Sequence, residues 1–99
     1  MRILGIDPGL NITGFALLES SPTKKELLSY GVIRTAPKTE KSARLKEIYD
    51  DLKAIIARGK PDICSIEQIF FSKNVSTAIS VSEARGVVIL ALNESGVPF

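Results

Sequence analysis

The sequence predicts an α/β fold in which a mixed sheet carries helices packed on it. Two short apolar runs, Ile3–Ile6 and Asp62–Ile66, are too short for helices and are typical of buried strands. Between them, Ser42–Arg58 has helical periodicity, and a strand–helix–strand unit predicts a parallel pair with a right-handed crossover. Near the N-terminus, Thr13–Leu18 and Glu26–Arg34 have strand composition and short polar connections, which favour an antiparallel three-strand meander.

The first two strands are predicted to form a hairpin. Pro8 and Gly9 can reverse the chain directly after Asp7, because proline fixes φ and glycine accepts a positive φ. The polar segment Ser20–Lys25, which contains a proline, reads as the loop before the third strand.

Ser42–Arg58 is the clearest predicted helix. Thr39 or Ser42 is its expected N-cap, and Gly59 with Pro61 is expected to end it. The apolar residues fall at i, i+3, i+4 spacing and share one face, namely Leu45, Ile48, Tyr49, Leu52, Ile55 and Ile56.

Ser76–Glu94 is predicted to be a second helix, capped by Ser76 or Asn74 and ended by Gly96. Its apolar residues cover more than one face, so the helix needs a second surface to bury against. The following residues, Val97–Phe99, read as the start of another strand.

Composition narrows the chemistry that is available to the chain. Its 99 residues suit one small domain, 1–99, and its net charge of +2 permits a nucleic-acid partner without demanding one. There is no histidine, which excludes a His general base and His-ligated zinc. The single Cys64 cannot form an internal disulfide, and no run of membrane-spanning length or signal peptide is present, which together favour the cytoplasm.

Asp7 has two possible roles. As a structural residue it would cap the turn by accepting hydrogen bonds from the amides of Gly9 and Leu10. As a functional residue it would present a carboxylate, at the end of a buried strand, to a metal or a phosphate. Hairpins of this kind open both ribonuclease H-like nucleases and actin-like ATPases, and the stretch alone does not choose between them.

Glu67 follows the second buried strand as Asp7 follows the first. If the two strands are parallel neighbours, both carboxylates lie at one edge of the sheet, where they repel unless a cation or a proton lies between them. A shared Mg²⁺ would resolve this and would supply the chemistry of phosphodiester hydrolysis. The alternative is that Glu67 merely begins a surface loop.

Five segments resemble the RuvC-type crossover junction endonucleases of bacteria, which resolve Holliday junctions. They occur in the family's order along the whole chain: GIDPGLNITG at 5–14, GVIRT at 31–35, RLKEIYDDL at 44–52, SIEQIFFSKN at 65–74 and ARG at 84–86. The resemblance implies a ribonuclease H-like fold, dependence on Mg²⁺ (or Mn²⁺), and paired nicking of a DNA four-way junction by a homodimer. It also implies the RuvA–RuvB branch-migration complex as a partner.

The resemblance assigns roles to individual residues. Asp7 and Glu67 match the family's first two catalytic, metal-binding carboxylates, and Phe70 matches an aromatic residue that stacks near the junction bases. Lys73 and Asn74 fall in the loop that approaches DNA. For Phe70 the alternative is ordinary burial, as it is for Phe71, and for Arg85 a phosphate or partner contact competes with an internal ion pair.

The sequence departs from the family pattern in one respect. The family's active site uses four acidic positions, and the last two lie in a C-terminal helix for which this chain has no counterpart. We therefore expect an N-terminal portion of a resolvase, without its C-terminal strand and helices, that does not cleave junctions alone. The alternatives are a non-catalytic DNA-binding or dimerisation fragment and, more remotely, part of an actin-like ATPase.

The surplus apolar surface of the second helix suggests where two copies would meet. We expect the face that contains Val81, Arg85 and Val88 to form a symmetric helix-to-helix contact, because an isologous interface repeats one patch.

Overall fold

A computed structural model describes residues 1–37, 39–67 and 75–99. Four strands and two helices follow one another as β1 (Arg2–Asp7), β2 (Ile12–Ser20), β3 (Lys25–Arg34), α1 (Lys41–Gly59), β4 (Ile63–Ile66) and α2 (Val75–Glu94). The four strands and two helices predicted before residue 95 are all present, and each of their ends lies within two residues of the predicted position.

The strands form one mixed sheet in the order β3-β2-β1-β4. β1 pairs with β2 and β2 with β3 in antiparallel register, with an irregularity in β2 between Leu17 and Leu18. β4 lies parallel to β1, and Leu4 faces Cys64 in the register. Both the three-strand meander and the parallel pair across α1 are confirmed.

Both helices cover the same face of this sheet. Leu4, Ile6 and Leu17 alternate along β1 and β2 with residues of the other face, and they pack in one buried cluster with side chains of the helices. The predicted apolar stripe of α1 is confirmed, since Ile48, Leu52 and Ile56 are buried. The helix also approaches β2 closely, because a Cβ on Gly59 would come within 2.9 Å of Leu17 Cδ2.

The opposite face of the sheet carries exposed apolar side chains. These side chains are Ile12, Leu27, Tyr30, Val32 and Ile63. The strand register places all five on the side of the sheet away from the core cluster. No helix among the described residues covers this face.

The predicted N-caps of α1 are wrong. Its N-cap is Glu40, whose side chain makes no capping hydrogen bond. Thr39 is engaged elsewhere, because its Oγ1 donates to the Ala36 carbonyl at 2.6 Å. The predicted end of α1 is confirmed, since Gly59 is its last residue and Pro61 lies just beyond. The left-handed residue is Lys60, with φ of 49°, whose N–H donates to the Ile56 carbonyl.

The predicted contact face of α2 is partly wrong. Val88 is fully buried against the sheet, so it has no surface left for a second copy, whereas Val81 and Arg85 are half-buried. The large apolar side chains that α2 exposes are Ile79 and Leu90, each 54% exposed.

The ends of α2 also differ in part from prediction. The helix begins at Val75, so Ser76 lies inside it and is not the cap, and Asn74 lies outside the described residues. Residues 97–99 form no strand, although Val97 is buried and the Cys64 N–H donates to the Pro98 carbonyl at 2.8 Å. No helix in the described part of the chain is long and apolar enough to cross a membrane.

Candidate active site

Two carboxylates meet where β1 and β4 end. Ile6 faces Ile66 in the parallel register, and the Glu67 N–H donates to the Ile6 carbonyl at 3.0 Å, which continues the ladder one residue beyond β4. Asp7 is the last residue of β1 and pairs with Gly14 of β2 on its other side. The prediction that the two strands bring Asp7 and Glu67 to one edge of the sheet is confirmed.

The two carboxyl groups interact directly. Hydrogen bonding to the Asp7 carboxyl group raises the pKa of Glu67, and repulsion by the charge of Asp7 and partial desolvation act in the same direction. Both residues are exposed, so the pair is open to a ligand from solvent. A group whose proton affinity is raised by a neighbouring anion also marks a place that favours a cation.

The turn after Asp7 is held by its own residues. Thr13, which is fully buried, donates from Oγ1 to the Gly9 carbonyl at 2.7 Å, and the Gly9 N–H is directed at the same oxygen at 3.2 Å. In the described part of the chain neither Gly9 nor Leu10 donates its amide to Asp7, so of the two alternatives for Asp7 the structural one, an Asx turn, is not observed. The Asp7 carboxylate therefore does not act as the cap of its turn.

Glycine is required at position 9 of this turn. A Cβ there would lie 2.2 Å from the Ile12 carbonyl oxygen, a backbone atom that cannot move aside without breaking the hairpin.

A cleft of about 410 Å³ separates this turn from the first part of α2. One wall is the turn itself and the other is a helix face rich in hydroxyl groups, and the cleft is lined by Gly9, Leu10, Asn11, Ile12, Ser76, Thr77, Ser80 and Val81. In the sequence the cleft begins two residues beyond Asp7, at Gly9.

Arg44 supports the same turn from α1, and sequence reasoning missed it. Its Nε donates to Thr35 Oγ1 at 2.9 Å and its Nη2 donates to Asn11 Oδ1. One signal was available in the sequence, because Arg44 precedes Ile48 and Leu52 by four and eight positions and therefore lies on the apolar stripe of α1. A charged residue on a buried stripe is uncommon and indicates a specific partner.

Of the residues predicted to contact DNA, Phe70, Lys73 and Asn74 lie outside the described residues. Arg85 is half-buried on α2, and its Nε is buried without a hydrogen-bond partner among the described residues. No ion pair there involves Arg85, so the choice between a phosphate contact and an internal pair remains a prediction.

Metal-ligating side chains are few near this edge of the sheet. Within residues 1–37, 39–67 and 75–99 no group of three or more His, Cys, Asp and Glu side chains is close enough to hold a metal ion. Asp7 and Glu67 are thus the candidate ligands that the described residues supply.

Comparison with known proteins identifies the family. The family model described as crossover junction endodeoxyribonuclease RuvC matches residues 3–99. The chain belongs to the RuvC family. It therefore belongs to a family of nucleases, and the resemblance seen in its five sequence segments is confirmed.

Curated relatives carry the same description. The RuvC of Heliobacterium modesticaldum is 45% identical over 96 residues, which is 97% of this chain and 59% of the relative. The RuvC of Halothermothrix orenii is 50% identical over 91 residues, which is 92% of this chain and 55% of the relative. The chain therefore spans somewhat more than half the length of the curated relatives it matches.

Solved structures confirm the ribonuclease H-like fold of this family. Thermus thermophilus RuvC in complex with a Holliday junction substrate superposes with a TM-score of 0.91 at 28% identity, over 100% of this chain and 62% of that one. A second structure of the Thermus thermophilus protein gives a TM-score of 0.86. An Aquifex aeolicus PPX-GPPA enzyme, with a TM-score of 0.56 and 18% identity, shares the fold alone.

Proposed function

We propose that this chain supplies the first half of the active site of a metal-dependent endonuclease that resolves Holliday junctions in DNA recombination and repair. The observation that carries the proposal is the meeting of Asp7 and Glu67 at the ends of two adjacent parallel strands, in a chain of the RuvC family. Both are the carboxylates that the resemblance assigns to catalysis.

The donor set of this pair fits a hard divalent cation. Mg²⁺, or Mn²⁺ in its place, prefers oxygen ligands, and Asp7 and Glu67 offer carboxylate oxygens. Among the described residues no third His, Cys, Asp or Glu side chain completes a group with them. The pKa of Glu67, which is raised first by its hydrogen bond with Asp7 and then by repulsion from that carboxylate, supports the same assignment, because a cation could take the place of the shared proton. When bound, such an ion activates a water molecule and stabilises the leaving oxygen of a phosphodiester.

DNA binding is proposed for the surface around this pair. The Thermus thermophilus relative was solved with a Holliday junction substrate, and by analogy the four-way junction is the substrate here. Phe70 would stack on bases near the crossover, where each stacking contact contributes about 1–3 kcal/mol. Lys73, Asn74 and Arg85 would contact the phosphate backbone, which positions the duplex without reading its sequence.

Assembly follows the symmetry of the substrate. A four-way junction offers two equivalent strands, so a homodimer that places two carboxylate pairs would nick both. The RuvA–RuvB branch-migration complex is the proposed partner that delivers the junction.

A junction-nicking assay on the full-length protein that contains residues 1–99 tests the proposal. We expect Mg²⁺-dependent nicking that Asp7→Asn and Glu67→Gln each abolish, with junction binding largely retained. Asp51→Asn is the matched control, because Asp51 is exposed on α1, away from the strand ends, and its substitution removes the same charge.

Two results would overturn the proposal. One is wild-type nicking by Asp7→Asn, and the other is junction nicking that does not depend on a divalent cation.

The isolated residues 1–99 should bind metal weakly and should not nick, because two protein carboxylates make a poor Mg²⁺ site. Robust nicking by residues 1–99, lost on Asp7→Asn, would show that two carboxylates suffice.

A second candidate function is non-catalytic. The described residues bring together two carboxylates only, and the chain spans somewhat more than half of its relatives, which fits a part that binds junction DNA or dimerises without cutting. Junction binding by residues 1–99 without nicking, unaffected by Asp7→Asn, would support this role for the isolated chain.

A further inference from the structure

We propose that Arg44 is a positioning residue for the active site, holding the turn that follows Asp7 and thereby the orientation of that carboxylate. The proposal rests on the function proposed above, since it concerns the same carboxylate pair. It goes beyond that function by assigning a role to a residue on α1 that touches neither Asp7 nor Glu67.

The guanidinium group connects three separate parts of the chain. From the first turns of α1, Nε donates to Thr35 Oγ1 at 2.9 Å, just beyond β3, and Nη2 donates to Asn11 Oδ1 in the β1–β2 turn. Thr35 extends the link, because its Oγ1 donates to the Leu10 carbonyl at 2.6 Å and its N–H donates to the Asn11 carbonyl at 3.1 Å. Three of these hydrogen bonds thus hold the turn directly, one from α1 and two from Thr35, and the fourth joins Arg44 to Thr35.

The hydrogen-bond partners of Arg44 indicate that this residue positions other groups rather than neutralises a negative charge. Arg44 is only 8% exposed, and among the described residues it forms no ion pair with a carboxylate. Its hydrogen bonds go to a hydroxyl and an amide oxygen instead. Burying a cation destabilises the protein unless its N–H donors have hydrogen-bond acceptors. The two neutral acceptors of Arg44 must therefore keep their positions for the guanidinium group to remain buried.

Only an arginine can serve both acceptors at once. Its planar fork presents several N–H donors in fixed directions, whereas the lysine ammonium is a single point at the end of a flexible stem. Arg44→Lys therefore keeps the charge and loses one of the two branches.

The supported turn lies between the carboxylate and the cleft. Asp7 enters the turn directly from β1, and Gly9 and Asn11 form a wall of the cleft that α2 closes on its other side. A shift of the turn would move the backbone that carries the Asp7 carboxylate. Misplacement of a catalytic group by about 1 Å can cost about 100-fold in rate.

Two substitutions break the link at opposite ends. Arg44→Lys acts from the buried end, and Asn11→Ala acts from an exposed side chain whose removal leaves the core intact. Arg58→Lys on the exposed side of α1 and Asn93→Ala at the end of α2 are the matched controls. All are made in the full-length protein and compared where circular dichroism shows each variant to be folded.

Kinetics provide the first readout. We expect Arg44→Lys and Asn11→Ala each to lower kcat for junction nicking by about tenfold to 100-fold and to raise the Mg²⁺ concentration for half-maximal rate, with KM for the junction unchanged. The double variant should lose less than the two single losses multiplied together, because both changes act on the same hydrogen-bonded link. The two controls should match wild type.

Amide hydrogen exchange provides a second readout that does not depend on activity. The Gly9 and Thr35 amides should exchange faster in both variants, while amides of β4 and of the core-facing part of α2 should not change. If the variants nick with wild-type kcat and wild-type Mg²⁺ dependence, or if their loss equals the loss of folded protein, the positioning role is wrong. If the wild-type protein itself does not nick, the proposed function fails, and unchanged exchange in the turn would then refute the role of Arg44 separately.

Discussion

In the absence of a ligand, the closeness of Asp7 and Glu67 lowers the stability of the folded protein. A carboxyl group with a raised pKa in the folded state binds protons that the unfolded chain releases, so its contribution to stability is present below the usual glutamate pKa and is lost as pH rises through the raised value. Such a cost to the folded protein is common where side chains are arranged for function rather than for stability.

Asp7→Asn should remove this cost. We expect the variant to lose less stability than wild type as pH rises above about 4.3, the usual pKa of glutamate, because Glu67 no longer titrates beside a carboxylate. Urea unfolding of residues 1–99 without divalent metal, at a series of pH values, measures the effect, and Asp51→Asn is the control. An identical pH dependence in Asp7→Asn and wild type would show that the two groups do not interact.

Cys64 should be chemically silent in the folded protein. It lies in the core beside Leu4, and burial raises the pKa of its thiol to about 11, so little thiolate is present at neutral pH. We expect a thiol reagent at pH 8 to label it only as fast as the protein unfolds, and at once in denaturant. Labelling of the native protein at the rate of a free thiol would contradict the buried position of Cys64.

The two helices differ in how far their sequences determine their packing. In α1 the apolar residues form one stripe, so the buried side was predictable. In α2 apolar residues surround the helix, and periodicity alone could not show that Val88 faces the sheet while Ile79 and Leu90 face away. The N-cap of α1 was missed for another reason, since Thr39 has a competing acceptor in its own turn.

The stripe of α1 should dominate its contribution to stability. Leu52 is fully buried, so Leu52→Ala should lower the free energy of unfolding by about 2–5 kcal/mol. Glu47→Ala, five positions earlier on the exposed side, should change it by no more than about 0.5 kcal/mol. Denaturant unfolding of the two variants measures the difference. Equal losses of unfolding free energy would show that the side of α1 that contains Leu52 is not the side buried against the sheet.

The exposed stripe of α2 is the better candidate for a contact between two copies. Ile79 and Leu90 are eleven positions apart, three helical turns, and lie on one side of the helix with Gly86 between them. We expect Ile79→Glu and Leu90→Glu to weaken dimerisation of the full-length protein by at least about tenfold, or about 1.4 kcal/mol. Sedimentation equilibrium measures this, with Ala54→Glu on the exposed side of α1 as the control, and dimers of unchanged affinity would exclude this stripe.

For the whole molecule, topology was predictable and local polar detail was not. The strand–helix–strand unit determined the parallel pairing of β1 and β4, and that pairing alone brought Asp7 beside Glu67. The link from Arg44 to Asn11 was not predictable, because it joins residues from different elements through side chains that periodicity does not describe. The roles of Phe70, Lys73 and Asn74 stay predictions.

The proposed function requires that Asp7 and Glu67 together hold a divalent cation. Mn²⁺ broadens NMR signals of nearby nuclei, so a titration of ¹⁵N-labelled residues 1–99 locates the ion without any cleavage. We expect the amides of Ile6, Asp7 and Glu67 to broaden first, excess Mg²⁺ to restore them, and Asp7→Asn but not Asp51→Asn to prevent the effect. Broadening that persists in Asp7→Asn, or that centres on Asp50 and Asp51 of α1, would contradict a metal site at Asp7 and Glu67.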